Sequence, residues 1–191
     1  FKMFPEAEVK FIWLGRNPLA SVNGLYDGWL YDRGFYSHNM KGRTILDIKG
    51  YSDTYEWSKW WWNFDLPPGW EEYTQAKLQE VCLFQWYTAN LTIEEWLSHN
   101  WIWTMSRLSV RYEDLITDRV GTIKEISSYL RISYPSLVED APIVQATEPP
   151  SLGRWKKRKQ MLIPLLFDSA PDKLELCNRM GYDPSDVEVW K

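Results

Sequence analysis

The amino-acid sequence predicts an α/β fold, and three observations carry that expectation. A short apolar, β-prone run, Phe11-Ile12-Trp13-Leu14, leads through Gly15-Arg16 into a helix-start signal at Asn17-Pro18. The same strand-turn-helix order returns at residues 108–112, followed at once by Glu113-Asp114-Leu115 and a helical pattern. Elsewhere the dominant periodicity is helical, so the carboxyl-terminal half is expected to be rich in helix.

Residues 11–14 read as a buried strand of the sheet. Asn17 can cap the helix that follows, and Pro18 is pre-set for its first turn. Leu19, Val22, Leu25, Tyr26 and Trp29 recur at helical spacing, which gives one packing face. The amino-terminal end of that helix then opens at the carboxyl edge of the sheet, where unsatisfied N–H groups and the macrodipole attract anions. Arg16 stands beside it with a planar fork that matches a phosphate bidentately. Taken alone, the stretch reads at least as well as a surface arginine closing a strand.

Residues 30–69 carry Gly34, Gly42, Gly50 and Pro67-Pro68-Gly69 between aromatic runs such as Trp60-Trp61-Trp62. They read as a long, partly ordered aromatic insertion, either a substrate-recognition loop or a structural flap. From residue 70 to about 97 the pattern is helical, with Ala76, Val81, Phe84, Tyr87 and Leu91 on one face and a possible break near Asn90. After the second strand, Asp118 can cap a helix bearing Ile123, Ile126, Tyr129 and Leu130. Residues 131–150, with Pro135, Pro142, Pro149 and Pro150, form a loop. It delivers the chain to Ser151-Leu152-Gly153-Arg154-Trp155-Lys156-Lys157-Arg158, a basic cluster in an acidic protein. A hydroxyl, a glycine that admits close backbone approach and an arginine are the parts of a phosphate clamp, although a solvated basic face has the same composition. Asp168 or Ser169 can cap a last helix carrying Leu174, Cys177 and Met180, with Gly181 as its natural C′ residue.

The 191 residues are 45% hydrophobic and 25% charged, which fits one globular domain over residues 1–191. A net charge of −4 argues against a general nucleic-acid surface, so an anion site must be built locally. Thirteen Trp and eleven Tyr are unusually many; core and surface packing is the favoured reading, and a cleft for a flat or ring-shaped guest is the other. Cys82 and Cys177 show neither disulfide-framework nor metal-ligand spacing, so no metal is expected. No signal peptide or transmembrane run is visible, and the expected setting is soluble and cytoplasmic. The first strand follows Phe1 by only a few residues, which predicts that this sequence starts inside a larger domain.

Strand-GRNP-helix, then VRYEDL before a helix, then SLGRWKK, then a closing helix ending RMGY resembles the carboxyl-terminal two-thirds of a sulfotransferase that uses 3′-phosphoadenosine 5′-phosphosulfate. The resemblance covers residues 4–29 and 83–182, and the aromatic insertion has no counterpart. It implies a P-loop NTPase-like three-layer fold with a central parallel sheet and the nucleotide across the carboxyl ends of the strands. It also implies that Arg16 holds the 3′-phosphate, that Tyr112 lies near the nucleotide, and that Ser151, Gly153 and Arg154 close over the phosphate. The family's serine eight residues after that arginine is replaced here by Gly24, for which Ser21 or Asn23 can stand in. The reaction implied is sulfuryl transfer to a hydroxyl or amine of a small-molecule or carbohydrate acceptor, with the donor as co-substrate and no metal.

The glycine-rich loop for the 5′-phosphosulfate and the His or Glu base lie upstream of the GRNP strand in such enzymes, and no such loop precedes Lys10 here. His38 and His99 are assigned no role, so the catalytic base is unknown. The alternative is a non-catalytic module of sulfotransferase descent that retains only the 3′-phosphate half of the site. A kinase of the same broad class would need a Walker-type loop and magnesium ligands, which this sequence lacks.

Overall fold

A computed structural model describes residues 8–32, 35–99, 107–134, 147–169 and 171–190. In chain order the elements are β1 (Phe11–Gly15), α1 (Pro18–Trp29), β2 (Ser37–Asn39), β3 (Trp61–Asn63), α2 (Leu78–Ser98), β4 (Arg107–Arg111), α3 (Tyr112–Thr117), α4 (Arg119–Leu130), α5 (Lys159–Phe167) and α6 (Pro171–Arg179). Short 3₁₀ turns lie at Glu56–Trp60, Trp70–Tyr73, Arg154–Arg158 and Pro184–Val189. The architecture is mixed α/β. The chain divides into two compact units: among the described residues one holds 8–16, 93–99 and 107–134, and the other holds 17–32, 35–92, 147–169 and 171–190. The expectations resting on Gly34, Pro135 and Pro142 lie outside the described residues.

In the first unit β1 pairs in parallel with β4, in a register running from Phe11 opposite Arg107 to Gly15 opposite Arg111. The expectation of a wholly buried β1 needs correction. Ile12 is 39% and Leu14 52% exposed, while Trp13 is buried. Side chains alternate along a strand, so Trp13 takes the covered face, where the Arg107 guanidinium lies 5.0 Å over its ring. An apolar run signals burial on both faces only when both are covered, and this sheet has two strands among the described residues. β4 passes directly into α3 at Tyr112. Asp118 then caps α4 as its sequence position predicts, its carboxylate accepting from the Gly121 N–H at 2.9 Å.

In the second unit the Asn17 side chain accepts from the Ala20 N–H at 3.1 Å, and Pro18 opens α1. Leu19, Val22 and Trp29 are buried on the face that the spacing predicts. What they pack against shows that residues 30–69, read as a partly ordered aromatic insertion, supply part of the core. Met40, Leu46, Ile48, Tyr51 and Trp62 from that stretch are fully buried or nearly so, in one core with Val81, Cys82 and Trp86 of α2 and Leu162 and Leu166 of α5. Trp29 meets Tyr51 and Trp62 edge-on, at 4.7 and 5.3 Å between ring centroids.

Polar groups inside this core are paired through Gln85. Its side-chain oxygen accepts from the Trp29 indole at 2.9 Å, and its amide donates to the carbonyls of Asn63 and Asp65, each at 2.8 Å. Such buried groups are costly to leave unmade, so the network fixes how α1, β3 and α2 meet. The helix expected from residue 70 begins instead at Leu78, because Trp70–Tyr73 forms a 3₁₀ turn. It runs unbroken through Asn90, whose amide donates to the Trp86 carbonyl at 2.8 Å.

Candidate functional site

Parallel pairing decides what lies at the end of the first unit's sheet. Gly15 sits opposite Arg111, so the next residues, Arg16 and Tyr112, leave the two strands side by side. The Arg16 guanidinium carbon lies 4.7 Å from the centre of the Tyr112 ring. Such stacking contributes about 0.5–2 kcal/mol and occupies the guanidinium's flat face, which leaves its hydrogen-bonding to the in-plane edges. The GRNP and VRYEDL stretches, 96 positions apart at these two residues, are thereby brought into contact at the carboxyl ends of parallel strands.

The second unit holds a charge cluster. Gly153 adopts φ +67°, a left-handed conformation that glycine enters without strain, and the 3₁₀ turn Arg154–Arg158 starts there. Buried Trp155 anchors the turn, its indole donating to the Trp190 carbonyl at 3.3 Å. Arg154, Lys157 and Arg158 then meet Asp27 of α1 at 3.6, 3.1 and 2.6 Å. Arg158 also donates to the Asn23 side-chain oxygen at 2.6 Å, and the Asn23 amide donates to Asp27 at 3.2 Å. On the outer side Glu148 pairs with Arg154 and, at 2.9 Å, with Lys157.

The two carboxylates differ in setting. The Asp27 side chain is 13% exposed and that of Glu148 is 43% exposed. Burial alone would raise the Asp27 carboxyl, but hydrogen bonds from Arg158 and Lys157 outweigh it and hold it below its ordinary value. The Lys157 hydrogen bond, opposed by slight desolvation and helped by Arg154, likewise lowers Glu148. A depressed folded-state value means stabilisation that is present above the unfolded value of about 3.9 and is lost as pH falls through the folded one. Urea unfolding from about pH 6 down to about pH 2 is therefore expected to show a shallower acid loss in Asp27→Asn than in the parent chain. An identical acid slope in both proteins would remove Asp27 from this account.

A cavity of about 310 Å³ opens beside the cluster, lined by Leu30, Tyr31, Tyr55, Asp27, Glu148 and Lys157 among others. Tyr55 stacks flat on Trp57, with 5.0 Å between ring centroids. The cavity wall therefore combines two tyrosines with one cation, Lys157, and three carboxylates, Asp27, Asp32 and Glu148.

Of the residues predicted from the sequence, the structure brings Arg16 to Tyr112, and it joins Asn23 to Arg154 through Asp27. Asn23 is 1% exposed, its amide donating to Asp27 and its carbonyl accepting from Arg158, so in this structure it serves the charge cluster. Ser21 is half-buried on α1, and Ser151 is exposed on the approach to Gly153. Sequence reasoning missed Asp27, Glu148 and the bridging roles of Lys157 and Arg158. One local signal existed, since Asn23 and Asp27 stand four apart on one helix face. Glu148 lies nine residues before Lys157 in irregular chain, where no periodicity announces a partner.

Among the described residues no group of three or more His, Cys, Asp or Glu side chains is placed to hold a metal ion, and no helix is long and apolar enough to cross a membrane. No family model, curated protein or solved structure matches this chain.

Proposed function

We propose that this protein is a sulfotransferase that moves the sulfuryl group of 3′-phosphoadenosine 5′-phosphosulfate to a hydroxyl or amine of a small-molecule or carbohydrate acceptor, on a P-loop NTPase-like three-layer fold in a cytoplasmic setting. The observation that carries the reading is the contact of Arg16 with Tyr112 at the carboxyl ends of β1 and β4. In open α/β sheets that edge is where ligands bind, and an arginine stacked on a ring presents a fixed fork to a phosphate. Arg16 is assigned to the nucleotide's 3′-phosphate, and Tyr112 positions it. Ser151, Gly153 and Arg154 in the second unit are assigned the same phosphate chemistry. The buried, unbridged thiols of Cys82 and Cys177 fit a reducing compartment.

In the reaction the acceptor oxygen or nitrogen attacks sulfur in line. A new bond to sulfur forms while the bond from sulfur to the bridging oxygen breaks, the electron pair stays on the departing bisphosphate, and the acceptor proton passes to a base not yet assigned. Fixed donors at the leaving oxygen supply the main electrostatic stabilisation of such a step.

A second reading, a binding module without turnover, is favoured by a separate observation. Arg154 already faces Glu148 and Asp27, so its charge is balanced without a ligand. Transfer of radiolabelled sulfate from the donor to a panel of sugars, phenols and amines separates the two. Transfer that Arg16→Ala abolishes supports the enzyme. Binding of adenosine 3′,5′-bisphosphate at about 10–1000 μM without transfer supports the module, and absence of both overturns the sulfotransferase reading.

A further inference from the structure

The charge count around Arg154 points to what keeps that cluster closed. Among the described residues Arg154, Lys157 and Arg158 form ion pairs with Asp27 and Glu148, three cations with two carboxylates, and Asp32 lines the adjoining cavity. Asp27 is the inner member. It touches all three cations, is held by the Asn23 amide, and is mostly buried on a regular helix. Its carboxylate is a fixed part of the scaffold.

Glu148 differs on each point. Among the described residues its ion pairs are with Arg154 and Lys157, its side chain is nearly half exposed, and it sits on irregular chain in the wall of the 310 Å³ cavity. Rotating it outward breaks no helix or strand bond and desolvates nothing. It would leave Arg154, Lys157 and Arg158 paired with Asp27 alone, and with Asp32 also in the cavity wall one net positive charge remains to meet a phosphate monoester. Two of those cations, Arg154 and Lys157, are the ones that Glu148 had covered. A carboxylate also presents two oxygens to a guanidinium fork much as a phosphate does.

We propose that Glu148 is an intramolecular occupant of a phosphate-monoester site: its carboxylate stands on Arg154 and Lys157 where the ligand's phosphate binds, and the ligand must displace it. The inference rests on the reading of Arg154 as a phosphate ligand and adds a regulation to it. A site that is self-occupied most of the time lowers apparent affinity by the fraction of time that it stands open. An ion pair this exposed is modest in strength, so the closed state is favoured by roughly tenfold rather than by orders of magnitude more. The cluster then stays neutralised, and therefore ordered, when no nucleotide is present.

The test is calorimetric titration of the whole chain with adenosine 3′,5′-bisphosphate, comparing the parent protein, Glu148→Gln and Arg154→Ala at fixed salt. The expected result is binding about tenfold tighter in Glu148→Gln and weaker in Arg154→Ala. Unchanged affinity in Glu148→Gln together with weakening in Arg154→Ala would overturn the proposal while leaving Arg154 as a phosphate ligand. Weaker binding in Glu148→Gln would also overturn it, since Glu148 would then be positioning Arg154 rather than competing with the ligand. Affinity that neither variant changes removes Arg154 from the site, and both the reading of the loop and the inference fall. Glu148→Gln keeps the size and shape of an exposed side chain, so thermal unfolding close to that of the parent verifies that the comparison is made on the same fold.

Discussion

Replacing Arg16 with alanine is expected to weaken adenosine 3′,5′-bisphosphate by about 2–4 kcal/mol, roughly 30- to 700-fold, while leaving adenosine 5′-phosphate nearly unaffected. The magnitude follows from removing one member of a desolvated, charge-assisted pair, and the contrast follows from assigning Arg16 to the 3′-phosphate alone. Arg16→Lys separates charge from geometry. Lysine keeps the positive charge but has neither the planar fork nor the flat face that rests on Tyr112, so it is expected to recover only part of the affinity. Arg154→Ala should cost less than Arg16→Ala, because the Arg154 charge is already compensated by Glu148 and Asp27. Calorimetry on both nucleotides measures all of this. Equal weakening of the two by Arg16→Ala would contradict the 3′-phosphate assignment.

Trp62→Ala is expected to destabilise the fold by about 3–5 kcal/mol, a large share of the roughly 5–15 kcal/mol that holds an ordinary domain together. Trp62 is fully buried, lies edge-on to Trp29 and Trp70, and donates its indole N–H to the Asp65 carbonyl at 2.8 Å. Alanine leaves a cavity, removes two aromatic contacts and strands that carbonyl with one partner fewer. Trp57→Ala is the matched control. Trp57 is 38% exposed on the same stretch, and its loss should change stability far less. Chemical denaturation of the two variants tests whether residues 30–69 belong to the core. Equal, small losses in both would contradict a core role for that stretch.

Local signals in the sequence located β1, the start of α1, β4 and the start of α4. Asn17, Pro18 and Asp118 each act within three or four residues of themselves, so their consequences are visible without tertiary context. The contact of Arg16 with Tyr112 was legible only through a resemblance between motifs, because residue spacing does not reveal strand register. Residues 30–69 misled for a different reason. Glycine and proline punctuation signals irregular backbone correctly, yet it says nothing of burial, and Tyr51 and Trp62 enter the core from irregular or very short elements. The apolar run of β1 erred in the opposite direction, since exposure of Ile12 and Leu14 depends on what covers the sheet. In the basic cluster the positive residues were evident, whereas their counter-charges came from a helix more than a hundred positions away and from an irregular segment.

The central claim is that the Arg16 end of the parallel strand pair takes a nucleotide's 3′-phosphate, and its most direct measurement is the selectivity of the unmodified chain. Under one buffer and one salt concentration, adenosine 3′,5′-bisphosphate and adenosine 5′-phosphate are titrated separately and their dissociation constants compared. The account predicts at least about a tenfold preference for the bisphosphate, because one additional desolvated phosphate contact is worth 1.4 kcal/mol or more. Equal affinity for the two nucleotides, or tighter binding of the 5′-phosphate, would contradict it.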